Sequence, residues 1–417
     1  MNKNPLSPAA TPTAIVAGAG IGGLAAALLL AEAGTSVTLL EKVESSAPVG
    51  AGLLLQPNGL AVLTGLGLGA QLEHAGHALD HITLRRADGR TIAASTVPTH
   101  DAGLDHVLVI RRSALHTILL QAVADEPGIE LRFGTEVRQA SADGSVTVES
   151  ADGTEHLSAD LVVAADGVTS TVRRHGSFGD VMTPTGKTYL RAVVEGEIDG
   201  LPGEFWTRLG LFGGAPLGDG HTYFYAAANA PTVATAVADR DLESLRRSWI
   251  RRLPASAEAW AGVTTFDELL VNNVVRVDAE RWHDGALVLL GDAAHAMAPT
   301  LGQGANSALV DAAVLVHELT RRADRDPALT AYASRRRPAV RAVQDAADKM
   351  ATLSDLQGRV RPRLRDAAIR TVSRIPAVSS RQDRLAQQED PAALHDIVAS
   401  IVSADLSRTA SSGPALR

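Results

Sequence analysis

The chain has 417 residues, with 39 lysines and arginines against 47 aspartates and glutamates, a formal charge of −8 and no cysteine. That length exceeds what one compact core usually holds, so two intimately packed domains are expected; the acidic balance argues against a nucleic-acid partner or an anionic membrane surface. Without thiols there is no disulfide, thiolate nucleophile or thiolate metal site, so redox chemistry must come from a bound cofactor, and the composition fits a cytoplasmic enzyme.

Residues 1–13 contain three prolines and little to bury, and read as a mobile arm. The apolar run 14–31 is interrupted by Gly18, Gly20, Gly22 and Gly23 and lacks a basic flank and cleavage signal, so it reads as a buried strand turning into a helix rather than a signal peptide. Glycines at 18 and 20 permit a sharp turn and close backbone approach, and Gly23 lets the helix sit near the sheet. The next strand, SVTLLEK, ends in Glu41 with Lys42 beside it, at the distance where a carboxylate accepts both hydroxyl hydrogens of a ribose. This is a dinucleotide fingerprint, compatible with FAD or NAD.

Strand-like stretches then alternate with turns (HITLRRADGR, HVLVIRR, IELRFGTEV, SVTVES, LVVAADG), and Asp-Gly pairs mark hairpins. One helix, SALHTILLQAVADE, interrupts them. The last stretch opens a second strand-turn-helix segment, AADGVTSTVRR at 164–174. From about 179 to 277 the β-like segments lengthen around one amphipathic helix, DLESLRRSWIRRL, which predicts a separate sheet domain. Alternation places Tyr189 with Arg191 on one side of their strand, and Tyr223 with Tyr225 on one side of theirs; which side faces a ligand stays open. Trp206 and Phe212 are candidate apolar walls.

Beyond Gly285 the chain returns to the first domain with LLGDAAHAMAPTLGQGAN at 289–306, an apolar strand ending at Asp292 and leading into a long helix. A carboxylate and a helix N-terminus thus meet at one strand end, suited to sugar or ribityl hydroxyls and to an anion farther along. Three such segments in this order point to one long, phosphate-bearing cofactor across several strand ends, with FAD the best fit. The last third reads as helical with a frayed Ser- and Ala-rich tail. His74, His77, His81, His100 and His106 lack a matching carboxylate set, so no metal site is expected. There is no G-x-S-x-G elbow and hence no sign of a hydrolase.

GAGIGGL, DGVTSTVR at 166–173 and GDAAHAMAPTLGQGAN at 291–306 resemble the three signatures of class A, single-component FAD-dependent monooxygenases of the p-hydroxybenzoate hydroxylase fold. The similarity runs from about Ala14 to Asp345. It implies an α/β architecture: a discontinuous FAD-binding Rossmann-like domain of glutathione-reductase type (14–178 plus 278–356), an inserted β-sheet substrate domain (179–277) and C-terminal helices (357–417). Carried over by position, the resemblance implies that the glycines at 18, 20, 22, 23 and 52 approach the cofactor, Glu41 and Lys42 lie at the adenosine ribose and Val137 lies against adenine. Arg112 would reach the ribityl or diphosphate region and Asp292 would hold the ribityl chain. Pro299, Gly302, Gln303, Gly304, Ala305 and Asn306 would border the isoalloxazine. Asp166 and Gly167 would serve both FAD and NADPH or NADH, and Arg173 and Arg174 are weighed as exposed attractors of NADPH phosphates.

The implied reaction is hydride transfer from NAD(P)H, then oxygen insertion through a C(4a)-hydroperoxyflavin into a small aromatic, heteroaromatic or polyketide-like compound. Dioxygen is the co-substrate, and the protein is expected as a monomer or homodimer without nucleic acid or membrane. Substrate contacts are expected from Tyr189, Arg191 and Tyr225. No catalytic base is assigned; His295, Tyr189 and Tyr225 are conceivable ones. The competing readings are a flavin oxidase or dehydrogenase without oxygen insertion and a non-catalytic FAD-binding protein.

Overall fold

Short, wholly apolar strands form the first layer. The computed structural model describes residues 11–45, 51–97, 104–179, 182–358 and 360–411, without the side chains of 376, 377, 379 and 404–411. Residues 1–10 of the arm expected at 1–13, His100 and the tail at 412–417 lie outside the described residues, whereas Thr13, counted in that arm, opens the strand Thr13–Ala17. Among the described residues the strands form four sheets. In the six-stranded sheet, Leu287–Leu289, Leu161–Ala164, Thr13–Ala17, Ser36–Leu40 and Ile129–Arg132 run parallel in that spatial order, with His283–Asp284 antiparallel at one edge. Both faces of the central strands are covered, which is why they read as continuous apolar runs rather than alternating ones.

The helix Ile21–Glu32 is buried around nearly its whole circumference because it is sandwiched between this sheet and the helices Gly304–Arg321, Arg112–Asp125 and Pro391–Ser411. An apolar residue at almost every position is what that environment demands.

A seven-stranded sheet forms the second layer, in the order Leu270–Val277, Met182–Glu195, His221–Ala227, Gly210–Pro216, Gly203–Thr207, His81–Arg86, Thr91–Thr96. It is wider than the 179–277 interval, because the last two strands come from the amino-terminal part and Glu204 pairs with Leu84 in parallel. One face, with Leu190, Phe212 and Phe224, packs on Trp249 and Trp260. Three helices rather than one cover it: Leu242–Arg252 was legible from its amphipathic pattern, whereas the short Ala257–Ala261, which carries Trp260, and Pro231–Ala238 (PTVATAVA) were not, the latter because its β-branched residues carry no helical period. The other face turns toward the first layer through Tyr189, Trp206, Leu211 and Ala227 against Ala298 and Ala347, and through Tyr223 and Ala215 against Val109 and Leu54.

Candidate functional site

The parallel register sets the geometry of the site. Ala17 lies opposite both Leu40 and Ala164, and Ala164 lies opposite Leu289, so the residues after each strand share one sheet edge. Gly18 N–H donates to the Leu40 carbonyl at 2.7 Å, Ala165 N–H to Ala17 at 2.9 Å and Leu290 N–H to Ala164 at 3.0 Å. With strands about 5 Å apart, this edge brings Gly18, Glu41, Asp166 and Asp292 together at the carboxyl ends of a parallel sheet, where such folds bind ligands.

The glycine turn is closed on its protein side and open on the other. Gly18 has φ +99°, and a Cβ there would lie 2.6 Å from the Ala165 carbonyl oxygen; one at Gly23 would lie 1.9 Å from the Gly18 oxygen. A Cβ at Gly22 would meet Leu290 and Ala308, whereas one at Gly20 would meet nothing within 4 Å. The helix that follows has no acid in its first turn and no side-chain cap, so its N-terminal amides face that open space unclaimed. Glu41 is held at its rim by Ala19 N–H (2.8 Å to Oε2) and Val43 N–H (3.1 Å to Oε1), with exposed Lys42 next to it. Val137 is buried in the strand Glu136–Ala140, against the short helix Thr171–His175.

Asp166 uses one oxygen to accept from Thr171 N–H at 2.7 Å and Val172 N–H at 3.2 Å; its other oxygen is buried and has no partner among the described residues. Gly167 beside it has φ +79° with open space around it. Arg173 corrects the expectation of an exposed cation. It is buried and donates to the Ala293 and Val168 carbonyls, both at 2.7 Å, tying the second turn to the third, while Arg174 is exposed.

Across the cleft, Arg112 begins the helix Arg112–Asp125, its N–H donating to Ala51 beside the strand Gly52–Leu55. Tyr223 packs directly on Gly52, where a Cβ would lie 2.2 Å from the ring. Although Arg112 is solvent-exposed, the protein crowded around its guanidinium strips hydration and lowers its pKa from the ordinary value; Asp292 opposes this and Arg191 adds to it. The side chains of Arg112, Asp292 and Arg191 make no hydrogen bond or ion pair with any described residue. Arg112 and Asp292 are exposed and Arg191 is half-buried, so the three present their charges to the open cleft, where a polar ligand can meet them with charge-assisted hydrogen bonds.

At the far end, the turn Pro299–Leu301 and Gly302 (φ +62°) lead into the helix Gly304–Arg321. Asn306 staples this corner to the strand Gly52–Leu55, accepting from Gln56 N–H at 3.0 Å and donating to Leu54 and Gly302 carbonyls at 2.9 and 2.8 Å. Gln303 also turns inward, accepting from Asn58 and Gln388, both at 3.1 Å. The cleft side of the corner is therefore backbone at Gly302 to Ala305. His295, conceivable as a base from sequence, is buried, stacked on Trp282 and bonded at 2.5 Å to Asp311, which also accepts from Arg336 at 2.7 Å and Gly291 N–H at 3.1 Å. It is a structural hydrogen-bonded pair inside the core.

On the sheet face, directly opposed residues share a side. Arg191, Tyr225, Gly213 and Glu204 follow one another across four strands, and Tyr189 lies on the same side two residues along. The open side is thereby settled: this face looks at the cleft, whereas Phe212 belongs to the opposite, fully packed face. Tyr225 leans over Gly213, where a Cβ would lie 2.2 Å from its ring, and donates to Glu204 Oε2 at 3.2 Å; Trp206 Nε1–H donates to Oε1 at 2.5 Å. Tyr189 hydroxyl is buried without a partner among the described residues, and burial raises its pKa. Beside the row lies a cavity of about 300 Å³ lined by Leu54, Leu79, Ile82, Ala215 and Tyr225 among others. Glu204 is the site residue that sequence reasoning missed; only strand register, which the sequence does not display, aligns it with Tyr225 and Arg191.

Among the described residues no helix is long and apolar enough to cross a membrane, and no group of three or more His, Asp or Glu could hold a metal ion. The FAD binding domain family model matches residues 10–347. The chain is 32% identical to the aurachin C monooxygenase/isomerase of Stigmatella aurantiaca over 77% of this chain and 84% of that protein. It is 32% identical to the 3-amino-4-hydroxybenzoate 2-monooxygenase PtmB3 of Streptomyces platensis, over 87% and 94%. Among solved structures, Klebsiella pneumoniae HpxO complexed with FAD and uric acid superposes with a TM-score of 0.77 at 25% identity, covering 90% of this chain and 97% of that one.

Proposed function

This chain belongs to the FAD binding domain family and is a single-component, FAD-dependent monooxygenase using NAD(P)H, and from that premise we propose that it oxygenates a small aromatic or heteroaromatic compound held on the Arg191–Tyr225–Glu204 row. The observation that supports this reading is the convergence of Arg112, Asp292 and Arg191, none with a side-chain ion-pair partner among the described residues, between the strand-end motifs and that row.

In this reading Gly18, Gly20, Gly22 and Gly23 admit the diphosphate to the helix amides, and Glu41 and Lys42 take the adenosine ribose, with Val137 at adenine. Arg112 and Asp292 grip the ribityl diphosphate segment, and Asp166 with Gly167 offers its free carboxylate oxygen to the cofactors. Pro299 and the backbone from Gly302 to Asn306 border the flavin ring, Gly52 lying across from them. Bound FAD supplies the acceptor for hydride from NAD(P)H and, once reduced, the electrons for dioxygen activation. The chain contributes position and dryness: the apolar walls around Tyr189, Trp206 and Leu54 exclude bulk water, and Tyr189, Arg191 and Tyr225 orient the substrate ring.

The substrate class rests on the aromatic compounds named for the relatives and on a cavity sized for one small ring system with an apolar substituent. Residues 14–178 with 278–356 are assigned to the cofactor, and 179–277, joined by the strands from 81 to 96, to the substrate sheet. A cytoplasmic location fits a chain without cysteine, and dioxygen as co-substrate and a monomer or homodimer belong to the same reading. Purified protein is expected to stay yellow through gel filtration, and a panel of phenols and heteroaromatics to stimulate NAD(P)H consumption with a product heavier by one oxygen. Stimulated consumption yielding only peroxide with every substrate would favour an oxidase instead.

A further inference from the structure

Glu204 sits in none of the three cofactor motifs, yet it is built into the substrate face. Its oxygens accept one hydrogen bond each, from Trp206 Nε1–H and from the Tyr225 hydroxyl. Because Tyr225 spends its only proton on Glu204, its oxygen can offer the cavity nothing but acceptor lone pairs. Arg191, directly across from Tyr225, offers only donors and has no partner among the described residues. Gly213 between Tyr225 and Glu204 is what lets the ring lie flat enough to connect them. Resting on the functional reading above, we propose that Glu204, through the Tyr225 hydroxyl, selects substrates bearing an acidic O–H or N–H and takes up the proton they release, while Arg191 holds the resulting anion.

The step balances as a single proton shift. The substrate O–H or N–H bond breaks as its proton passes to Tyr225 Oη; the Tyr225 O–H bond breaks as its proton passes to Glu204 Oε2. Negative charge moves from Glu204 to the substrate, no electrons are gained or lost, and the substrate ring becomes richer in electrons. Burial raises the Glu204 pKa, against the two donors that lower it, which brings proton uptake closer to neutrality. Among the described residues, the other ionisable groups around the row are Tyr189 and Tyr223 on the same face, Arg191, Arg86 opposite Trp206, Arg365 stacked 4.5 Å over the Trp206 ring with its ion partner Asp366, Asp348 and Asp355 toward Tyr189, and His81 and Arg85 at the cavity wall. Leu84, opposite Glu204, is apolar. Glu204 is thus a positioning and proton-holding residue, and Tyr225 is the group that touches substrate.

The probe is 4-nitrophenol, whose anion absorbs visible light, titrated with pH while bound to the FAD-loaded protein. In the wild type the phenolate band is expected at pH values below those that ionise the free phenol. In E204Q it should appear only about one pH unit or more higher, with E204D restoring most of the difference and Y225F behaving like E204Q. If Glu204 were merely structural, E204Q would shift the profile the opposite way, since removing a buried negative charge favours an adjacent phenolate. That result, an unchanged profile, or failure of the yellow wild-type protein to bind 4-nitrophenol would overturn the proposal. A wild-type protein that does not hold FAD would instead overturn the monooxygenase reading, and this inference with it.

Discussion

Single residues divide the glycine turn into a structural side and a ligand side. Gly18 lies against the Ala165 carbonyl with positive φ, so Gly18→Ala should cost about 1–3 kcal/mol through strain alone and lower the melting temperature of the cofactor-free protein. Gly20→Ala meets no protein atom within 4 Å and should leave that temperature unchanged. Its methyl would instead stand where the diphosphate approaches, weakening FAD affinity by about tenfold or more, about 1.4 kcal/mol. Fluorescence titration of FAD into both variants separates the two effects; equal losses of affinity and stability would show that the turn is not divided in this way. Both glycines were legible from spacing alone, because a sharp turn is a local requirement. Arg173 was not: nothing in TSTVRR tells a buried arginine that clamps two turns from the exposed one beside it.

At the scale of elements, the helix Gly304–Arg321 is positioned by ions rather than by propensity. Asp311 on its inner face holds His295, Arg336 and the Gly291 amide at once. Burial works against ionisation here, but the His295 and Arg336 charges and hydrogen bonds overcome it and keep the Asp311 carboxyl below its ordinary value. A carboxyl depressed in the folded state contributes stability in full above its unfolded pKa of about 3.9 and loses it as the pH falls through the lower folded value. Urea midpoints should therefore drop below about pH 4 in the wild type more steeply than in Asp311→Asn. At neutral pH, Asp311→Asn leaves the buried Arg336 guanidinium without its carboxylate and should cost about 3–5 kcal/mol. A loss below about 1 kcal/mol, the size of an exposed pair, would show that the cluster is not what seats this helix. The sequence displays the helix and its Asp292 approach; it does not display the partner at Arg336, because an ion pair across two helices leaves no period in either.

For the whole molecule, the segment beyond the family match is part of the core. Leu394 and Val398 of the helix Pro391–Ser411 are fully buried against the helices Pro57–Gly65 and Ile21–Glu32, and Gln387 and Gln388 just before it bond to Asn58, Gln303, Ser307 and Arg336. Leu394→Ala should cost about 2–5 kcal/mol and lower FAD retention as well as the melting temperature, since its neighbours lead to the flavin-side corner. Unchanged retention after gel filtration would mean that the C-terminal helices stabilise the fold without seating the cofactor. What the residues determined by themselves was each strand, turn and helix start of the cofactor motifs, because backbone conformation at a glycine and burial of a continuous apolar run are set within a few neighbours. What only the tertiary structure decided was which face of the large sheet meets the cleft, the alignment of Glu204 with Tyr225 and Arg191, and the docking of the C-terminal helices. Those depend on strand register and on surfaces brought together from distant parts of the chain, and packing energy of that kind is shared among many residues with no mark on any one of them.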